Sequence, residues 1–286
     1  MDNILEISNL SKHYPTFDLQ NISFSVPCGS IVGLVGENGA GKTTTIKLIL
    51  NEIRRDSGNI RVFGMDNIRE ERKIKELIGV VFDESYFYGE FRAQDIASIL
   101  KKVYRTWDDA LFSRCLAQFK LPKDKMIREY SKGMKMKLSI ASALAHKPRL
   151  LILDEATSGL DPIIRSDILD LLLDFIQDET HGILFSSHIT SDLEKVADYI
   201  TFIHEGKIVF HRSKDDLIYR CGILKCGSAD FQRVNRKDLI RWRKNEFGYE
   251  ALVSNRAAAC RAYPNLVVDN ASIDDIMLFF VKGEKP

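Results

Sequence analysis

Gly36-Glu37-Asn38-Gly39-Ala40-Gly41-Lys42-Thr43 decides the reading of this chain. The stretch satisfies G-x-x-x-x-G-K-[ST] at every fixed position. The apolar run Ser30-Ile31-Val32-Gly33-Leu34-Val35 precedes it, and Thr43-Thr44-Thr45-Ile46-Lys47-Leu48-Ile49-Leu50 follows with helical apolar spacing. A buried strand, a glycine-rich loop and a helix are therefore expected in that order. Each residue type has a physical task. Glycines let backbone N–H groups turn inward around phosphate oxygens with no side chain in the way. Lys42 brings a point charge to the β- and γ-phosphates, and the Thr43 hydroxyl is a ligand for Mg²⁺. The N-terminus of the following helix adds partial positive charge. Loop, strand and helix together predict a nucleoside triphosphate site.

Working outward, the 286 residues suffice for about two domains and a core that needs no disulfide or metal staple. Lys and Arg number 41 against 40 Asp and Glu, a net charge of +1 that excludes a globally basic nucleic-acid binder and an acidic disordered tail. The longest apolar run, Ile276 to Val281, is far short of the roughly 18 residues of a spanning helix. Met1-Asp2-Asn3 lacks the basic and apolar regions of a secretion signal. The five cysteines are scattered; only Cys221 and Cys226 lie close, with no second pair and no histidine at ligand spacing, which argues against a metal site there. A reduced, soluble, cytoplasmic protein is expected.

The first thirty residues alternate, with Leu5, Ile7 and Leu10, then Ile22, Phe24 and Val26, as half-exposed strands do. Further strands are expected at Asn59 to Phe63 and Leu77 to Phe82. From about 90 to 147 strand signals stop and three helices are expected: Ala93 to Tyr104, Asp108 to Phe119 and Met134 to Ala145. Residues 101–147 hold twelve Lys or Arg and four Asp or Glu, which reads either as a solvated helical face or as a surface for anionic lipid headgroups or a partner. Strands and helices then alternate to about residue 210, predicting a mainly parallel sheet covered on both faces. Residues 212–286 read as a small αβ extension, packed on the ATPase core by default and otherwise regulatory or dimerising, with strands near Gly222 to Cys226 and Glu250 to Ser254 and helices near Lys237 to Asn245 and Ile273 to Val281.

Leu150-Leu151-Ile152-Leu153-Asp154-Glu155 ends four apolar residues in two acids. Acids at the carboxyl end of a buried parallel strand stand in the crevice where doubly wound sheets bind ligands. Asp154 is suited to hold Mg²⁺ through water, and Glu155 to orient or deprotonate an attacking water.

With these motifs in order, residues 4 to 210 resemble the ABC-type ATPases. Tyr130-Ser131-Lys132-Gly133-Met134-Lys135 is similar to the family's signature, Asp154-Glu155 to its Walker B pair, Ser158-Gly159-Leu160-Asp161 to its D-loop, and Ser187-His188 to its switch histidine. The resemblance implies an α/β fold: a P-loop core over residues 1–211 with N-terminal antiparallel strands and a helical subdomain at about 90–147. It implies ATP and Mg²⁺ as cofactors. ATP would be held by Gly36, Glu37, Asn38, Gly39, Ala40, Gly41, Lys42, Thr43 and Thr44, with Tyr14 stacked on adenine. Ser131, Lys132, Gly133 and Met134 would close over ATP from the opposite subunit of a dimer, homomeric or heteromeric, with Asp161 in the D-loop. Glu155 would be the catalytic base, with His188 contacting the γ-phosphate and water.

Three positions depart from the family pattern. Lys132 replaces the signature's second glycine; it either adds a cation near the partner's phosphate or faces solvent, and the solvent reading is preferred. Met134 replaces a glutamine. Asp83 stands where the family has a glutamine that touches Mg²⁺; a carboxylate oxygen can coordinate the ion, so Thr43, Asp83 and Asp154 form the expected metal set. A similar signature and Q-loop acid occur in bacterial ABC-2 type exporters.

The function expected is therefore an ATP-hydrolysing subunit that drives a separate transmembrane permease by dimer closure, peripheral on the inner face of the cell membrane, with no nucleic acid. The alternative is a soluble ABC-type ATPase in nucleic-acid or translation-related work, although the long coiled coils and tandem cassettes of those classes are absent. A P-loop kinase leaves Ser131, Gly133 and His188 unexplained.

Overall fold

The computed structural model describes residues 2–286. Alternating apolar and polar residues make Asn3–Tyr14 (β1) and Phe17–Pro27 (β2) an antiparallel pair, with Leu5 opposite Val26 and Ile7 opposite Phe24. The chain then enters the centre as Ser30–Val35 (β3), passes the glycine loop and begins Lys42–Ile49 (α1). It returns to the outer sheet as Ser57–Val62 (β4) and Met65–Asp66 (β5), giving the antiparallel order β2-β1-β4-β5. Glu71–Leu77 (α2), which the sequence reading missed, leads into Ile78–Val81 (β6).

Three helices follow as expected: Ala93–Val103 (α3), Asp109–Gln118 (α4) and Lys132–Ala145 (α5). Asp108 and Ser131 cap the last two by accepting from Leu111 N (2.8 Å) and Met134 N (3.2 Å). The core resumes with Leu150–Asp154 (β7), Pro162–Phe175 (α6), Gly182–Ser187 (β8), Thr190–Val196 (α7), Tyr199–His204 (β9) and Lys207–Ser213 (β10). These strands build a sheet ordered β10-β9-β3-β8-β7-β6, parallel except for the edge strand β10. Every residue of β3, β7 and β8 is buried, as strands covered on both faces require. Val32 and Leu34 pack toward the outer sheet and α1, while Ile31 and Val35 pack toward the helices, which is the two-residue period of a strand.

The extension forms Gly222–Cys226 (β11), Ser228–Phe231 (α8), Leu239–Asn245 (β12), Gly248–Val253 (β13), Arg256–Ala262 (α9), Val267–Asn270 (β14) and Ile273–Lys282 (α10). Its antiparallel sheet is ordered β12-β13-β11-β14. The helix expected at Lys237 to Asn245 is instead strand β12. Its Lys and Arg favour helix in isolation, but cross-strand partners decide: Trp242 packs on Tyr249 (5.6 Å between ring centres), and Arg243 Nε donates to Glu250 at 2.8 Å. Gly248, at φ 145°, closes the hairpin where a Cβ would lie 2.4 Å from the Cys226 carbonyl oxygen. The apolar face of α10 seats the extension on the ATPase core, with Phe280 against Phe210 and Phe202. Among the described residues no helix is long and apolar enough to cross a membrane.

His146 joins the helical insert to the core. It caps the C-terminus of α5, donates from Nε2 to the Ile78 carbonyl at 3.1 Å, and stacks on Tyr104 at 4.0 Å. Burial pushes its imidazole below the ordinary value of about 6.5, because the charged form loses its water. Below that value the unfolded chain binds more protons than the folded one, so this stability is complete above about pH 6.5 and is lost as pH falls. His211 is shifted the same way by burial. His146→Gln, which keeps an N–H for Ile78, should therefore flatten part of the loss of stability on acidification in urea titrations at a series of pH values. An unchanged slope would remove His146 from this role.

Candidate functional site

The glycine loop is shaped by what lies behind it. A Cβ on Gly36 would stand 2.3 Å from the Ile203 carbonyl oxygen. Gly41 adopts φ 114°, a left-handed conformation that L side chains resist. Lys42, which follows as the first residue of α1, is only 5% exposed, and its Nζ donates to the carbonyls of Gly36 (2.8 Å) and Glu37 (3.3 Å). Thr43 follows at the first turn of α1, exposed.

Asp154 ends β7, buried, and accepts from Ser186 Oγ at 2.5 Å. Glu155 follows with φ 53°, left-handed for a residue with a side chain, and its N–H donates to the Ser186 carbonyl at 3.1 Å. Such a conformation costs on the order of 1–3 kcal/mol and persists only where its surroundings impose it. Here they do. Glu155 Oε2 accepts from His188 Nδ1 at 2.5 Å, and Oε1 approaches Lys42 Nζ at 3.1 Å without hydrogen-bond alignment. Lys42, Glu155 and His188 thus meet from loops at the carboxyl ends of β3, β7 and β8, which are neighbours in the sheet.

Beside them a cleft of about 420 Å³ is lined by Thr43, Asp83, Asp154 and Glu155, among others. All four offer oxygen donors, the set a hard divalent cation takes. Among the described residues no three His, Cys, Asp or Glu side chains cluster as a ready-made cage. Magnesium suits such a site, since it commonly binds through one or two carboxylates plus substrate phosphates.

The middle of the chain, residues 19–158, matches the family model described as ABC transporter. Over 212 residues, 73% of this chain and 69% of the relative, it is 35% identical to the bacitracin transport ATP-binding protein BcrA of Bacillus licheniformis. It is likewise 35% identical to the lantibiotic transport ATP-binding protein SrtF of Streptococcus pyogenes, across 74% of this chain and 92% of the relative. A solved ATP-binding subunit of an ABC transporter superposes with a TM-score of 0.69 at 28% identity, covering 76% of this chain and 92% of the other.

The chain belongs to the ABC transporter family, as an ATP-binding subunit. It is an ATPase coupled to transport, with the P-loop core that the sequence predicts.

In this ABC subunit the other motifs gather at the starts of α5 and α6. Ser131 caps α5, and Gly133 lies against α6, where a Cβ would come within 2.3 Å of Ile164 Cδ1. Asp161 caps α6 by accepting from Ile163 N (3.1 Å) and Ile164 N (3.0 Å). Lys132 is exposed and lies over the D-loop, its Nζ 2.8 Å from the position a Gly159 Cβ would occupy. Met134 is half-buried at the edge of the core. Among the described residues no hydrogen bond or ion pair joins Ser131–Met134 to the loop at 36–43.

Two features escaped the sequence reading. The aromatic ring against the loop is Phe17, whose Cζ lies 3.0 Å from the Cβ position of Gly41; Tyr14 is its cross-strand partner, with Lys12 Nζ 5.6 Å from the Tyr14 ring centre. Phe17 also lines a second cleft of about 360 Å³ with Glu37, Asn38 and Gly39. The second feature is Asp192 on α7, 1% exposed, with Oδ2 3.8 Å from Arg165 Nε. Arg165 also donates to the Leu160 carbonyl at 3.3 Å, linking the D-loop to the helix after His188. A single acid among polar neighbours gives no signal of that burial in the sequence.

Gly36→Ala tests the shape of the loop. The added methyl must displace the Ile203 carbonyl, and overpacking of this kind costs about 1–3 kcal/mol. The urea midpoint should fall accordingly; an unchanged midpoint would show that the loop yields without cost.

Proposed function

We propose that this subunit powers an exporter: two copies, or this chain and a related one, close on ATP, hydrolysis reopens them, and a separate transmembrane permease follows the motion. The placement is cytoplasmic, peripheral on the membrane through the permease. Residues 1–211 form the ATPase domain and 212–286 an extension seated on it. The observation that carries the reading is Glu155, held in a left-handed conformation between Lys42 and His188.

In this reading Glu155 takes a proton from the attacking water through Oε1, the oxygen that faces Lys42 Nζ at 3.1 Å and accepts no aligned hydrogen bond. His188, on the other carboxylate oxygen, orients Glu155 and reaches the γ-phosphate. Gly36–Thr44 wrap the phosphates and Lys42 neutralises them; Tyr14, or its cross-strand partner Phe17 that stands against the loop, stacks on adenine. Thr43, Asp83 and Asp154 would hold magnesium, which supplies charge neutralisation on the phosphates when bound. Ser131, Lys132 and Asp161 are exposed and, among the described residues, make no hydrogen bond or ion pair to the loop at 36–43, which supports their meeting the ATP of a partner subunit, with Gly133 and Met134 packed behind them.

The permease seat proposed is a cavity of about 200 Å³ between β6, α3 and α5, lined by Tyr86, Phe87, Leu100 and Tyr104 among others. Tyr86 is exposed there and touches Phe82 edge-on at 5.8 Å. The relatives named for bacitracin and lantibiotic transport support a transport role, and export is the direction taken in this reading. No observation favours the nucleic-acid alternative.

Glu155→Gln should retain ATP binding, trap the closed dimer and slow turnover by roughly 10²–10⁴-fold, the usual contribution of a general base; normal turnover in single-cycle assays would sink the assignment. Affinity purification from detergent-solubilised membranes should recover a stoichiometric multi-span protein. Tyr86→Ala with Phe87→Ala should lose that protein while the isolated chain still hydrolyses ATP. Loss of both together would make these rings part of the packing.

A further inference from the structure

A groove of about 650 Å³ opens between α2 and the C-terminal end of α3. Arg69, Arg72, Lys75, Lys102 and Arg105 line it, against only Glu71 and Glu76. Lys75 is paired with Glu71 at 2.6 Å, and Arg105 stands 3.8 Å from Glu76. Arg69, Arg72 and Lys102 are exposed and have no acidic partner among the described residues. On the same rim Ile68 is 43% and Val103 61% exposed. Neither α2 nor this charge pattern belongs to the nucleotide site or to the dimer-facing motifs.

We propose that this groove binds the headgroups of anionic phospholipids and holds the helical insert against the membrane. Three unpaired cations on long side chains complement a negatively charged leaflet, and the neighbouring aliphatic side chains suit the boundary between headgroups and acyl chains. A small soluble anion would have no use for Ile68 and Val103. A folded protein partner in a groove of this charge would supply acids in fixed register, whereas a lipid surface meets flexible cations without one. Tyr104 supplies the continuity: it lines both this groove and the cavity proposed for the permease, so a subunit docked there carries its cations beside the bilayer. That placement rests on the transporter reading, whereas binding to lipid alone does not. The local excess of positive charge in the helical insert thereby divides. Of the twelve Lys and Arg in residues 101–147, Lys101, Arg105, Arg128, Lys137 and Lys147 lie within ion-pair distance of acids of the chain itself; of the others, Lys102 is the one that lines the groove.

The test is co-sedimentation of the full chain with vesicles of phosphatidylcholine containing phosphatidylglycerol, compared with phosphatidylcholine alone. Binding should require the anionic lipid and weaken with salt. Each basic residue near an anionic leaflet strengthens partitioning by about fivefold, so the triple variant Arg69→Gln, Arg72→Gln, Lys102→Gln should bind on the order of 100-fold more weakly. Its three side chains are exposed and unpaired, so its melting curve and its ATP hydrolysis in solution should match wild type. Lys120→Gln, Lys123→Gln, Lys125→Gln, in the loop after α4, should bind as wild type. Equal binding of wild type and the groove variant, equal loss in the loop variant, or binding to phosphatidylcholine alone would overturn the proposal. So would a groove variant that binds vesicles normally but no longer recovers the permease, which would make the groove a protein contact. Failure on vesicles with intact ATP hydrolysis and permease recovery leaves the transporter reading standing.

Discussion

The whole arrangement depends on one carboxylate held where a backbone does not willingly go. Glu155 follows β7 at φ 53°, and three contacts keep it there: its N–H on the Ser186 carbonyl, its Oε2 on His188, and Lys42 against its Oε1. Two of the contacts come from the end of β8 and the third from beyond β3, so together they need β3, β8 and β7 adjacent and parallel. That order in turn needs cover on both faces, helices on one and the outer sheet with α1 on the other, because strands buried at every position have no solvated side. A change in the register of any of the three strands would separate Lys42 from Glu155 and release the strain.

Ser131, Gly133 and Asp161 obey a different constraint. Ser131 and Asp161 each cap a helix, and Gly133 lets those two helices approach at their starts. The side chains that the resemblance reserves for ATP are thus also the ones that begin α5 and α6. Structural and functional readings of these residues do not compete: a cap aligns backbone N–H groups outward, and an anion-binding surface consists of such groups.

Much of this was legible in the sequence because it is written in local patterns. Glycine spacing, an apolar run ending in acids, and a serine before a helix each act over a few residues. The core strands follow from the same cause, as do the three helices of the insert. What was illegible depends on distant pairing. β12 reads as helix until Tyr249 and Glu250 stand beside it, and α2, α9 and β14 are too short to show a period. In the site, Phe17 stands against the loop through the β1–β2 hairpin register, and Asp192 meets Arg165 across two helices. No local pattern distinguishes either from an ordinary aromatic or a solvated acid.

Asp192 and Glu194 also explain why the extension matters to the core. Both lie on α7, the short helix that follows His188. Asp192 faces Arg165 and so the D-loop. Glu194 faces the other way: its Oε1 accepts from Ile273 N at 2.9 Å, at the start of α10, and its carbonyl accepts from Lys214 Nζ at 3.0 Å. A seven-residue helix has too few internal hydrogen bonds to hold its own position. Its position is set by what grips its two sides, the D-loop through Arg165 and the extension through Ile273. His188 begins where that helix is held, and Glu155 takes its second oxygen's partner from His188. The extension is therefore mechanically in series with Glu155, although among the described residues none of 212–286 lines the two clefts beside the glycine loop.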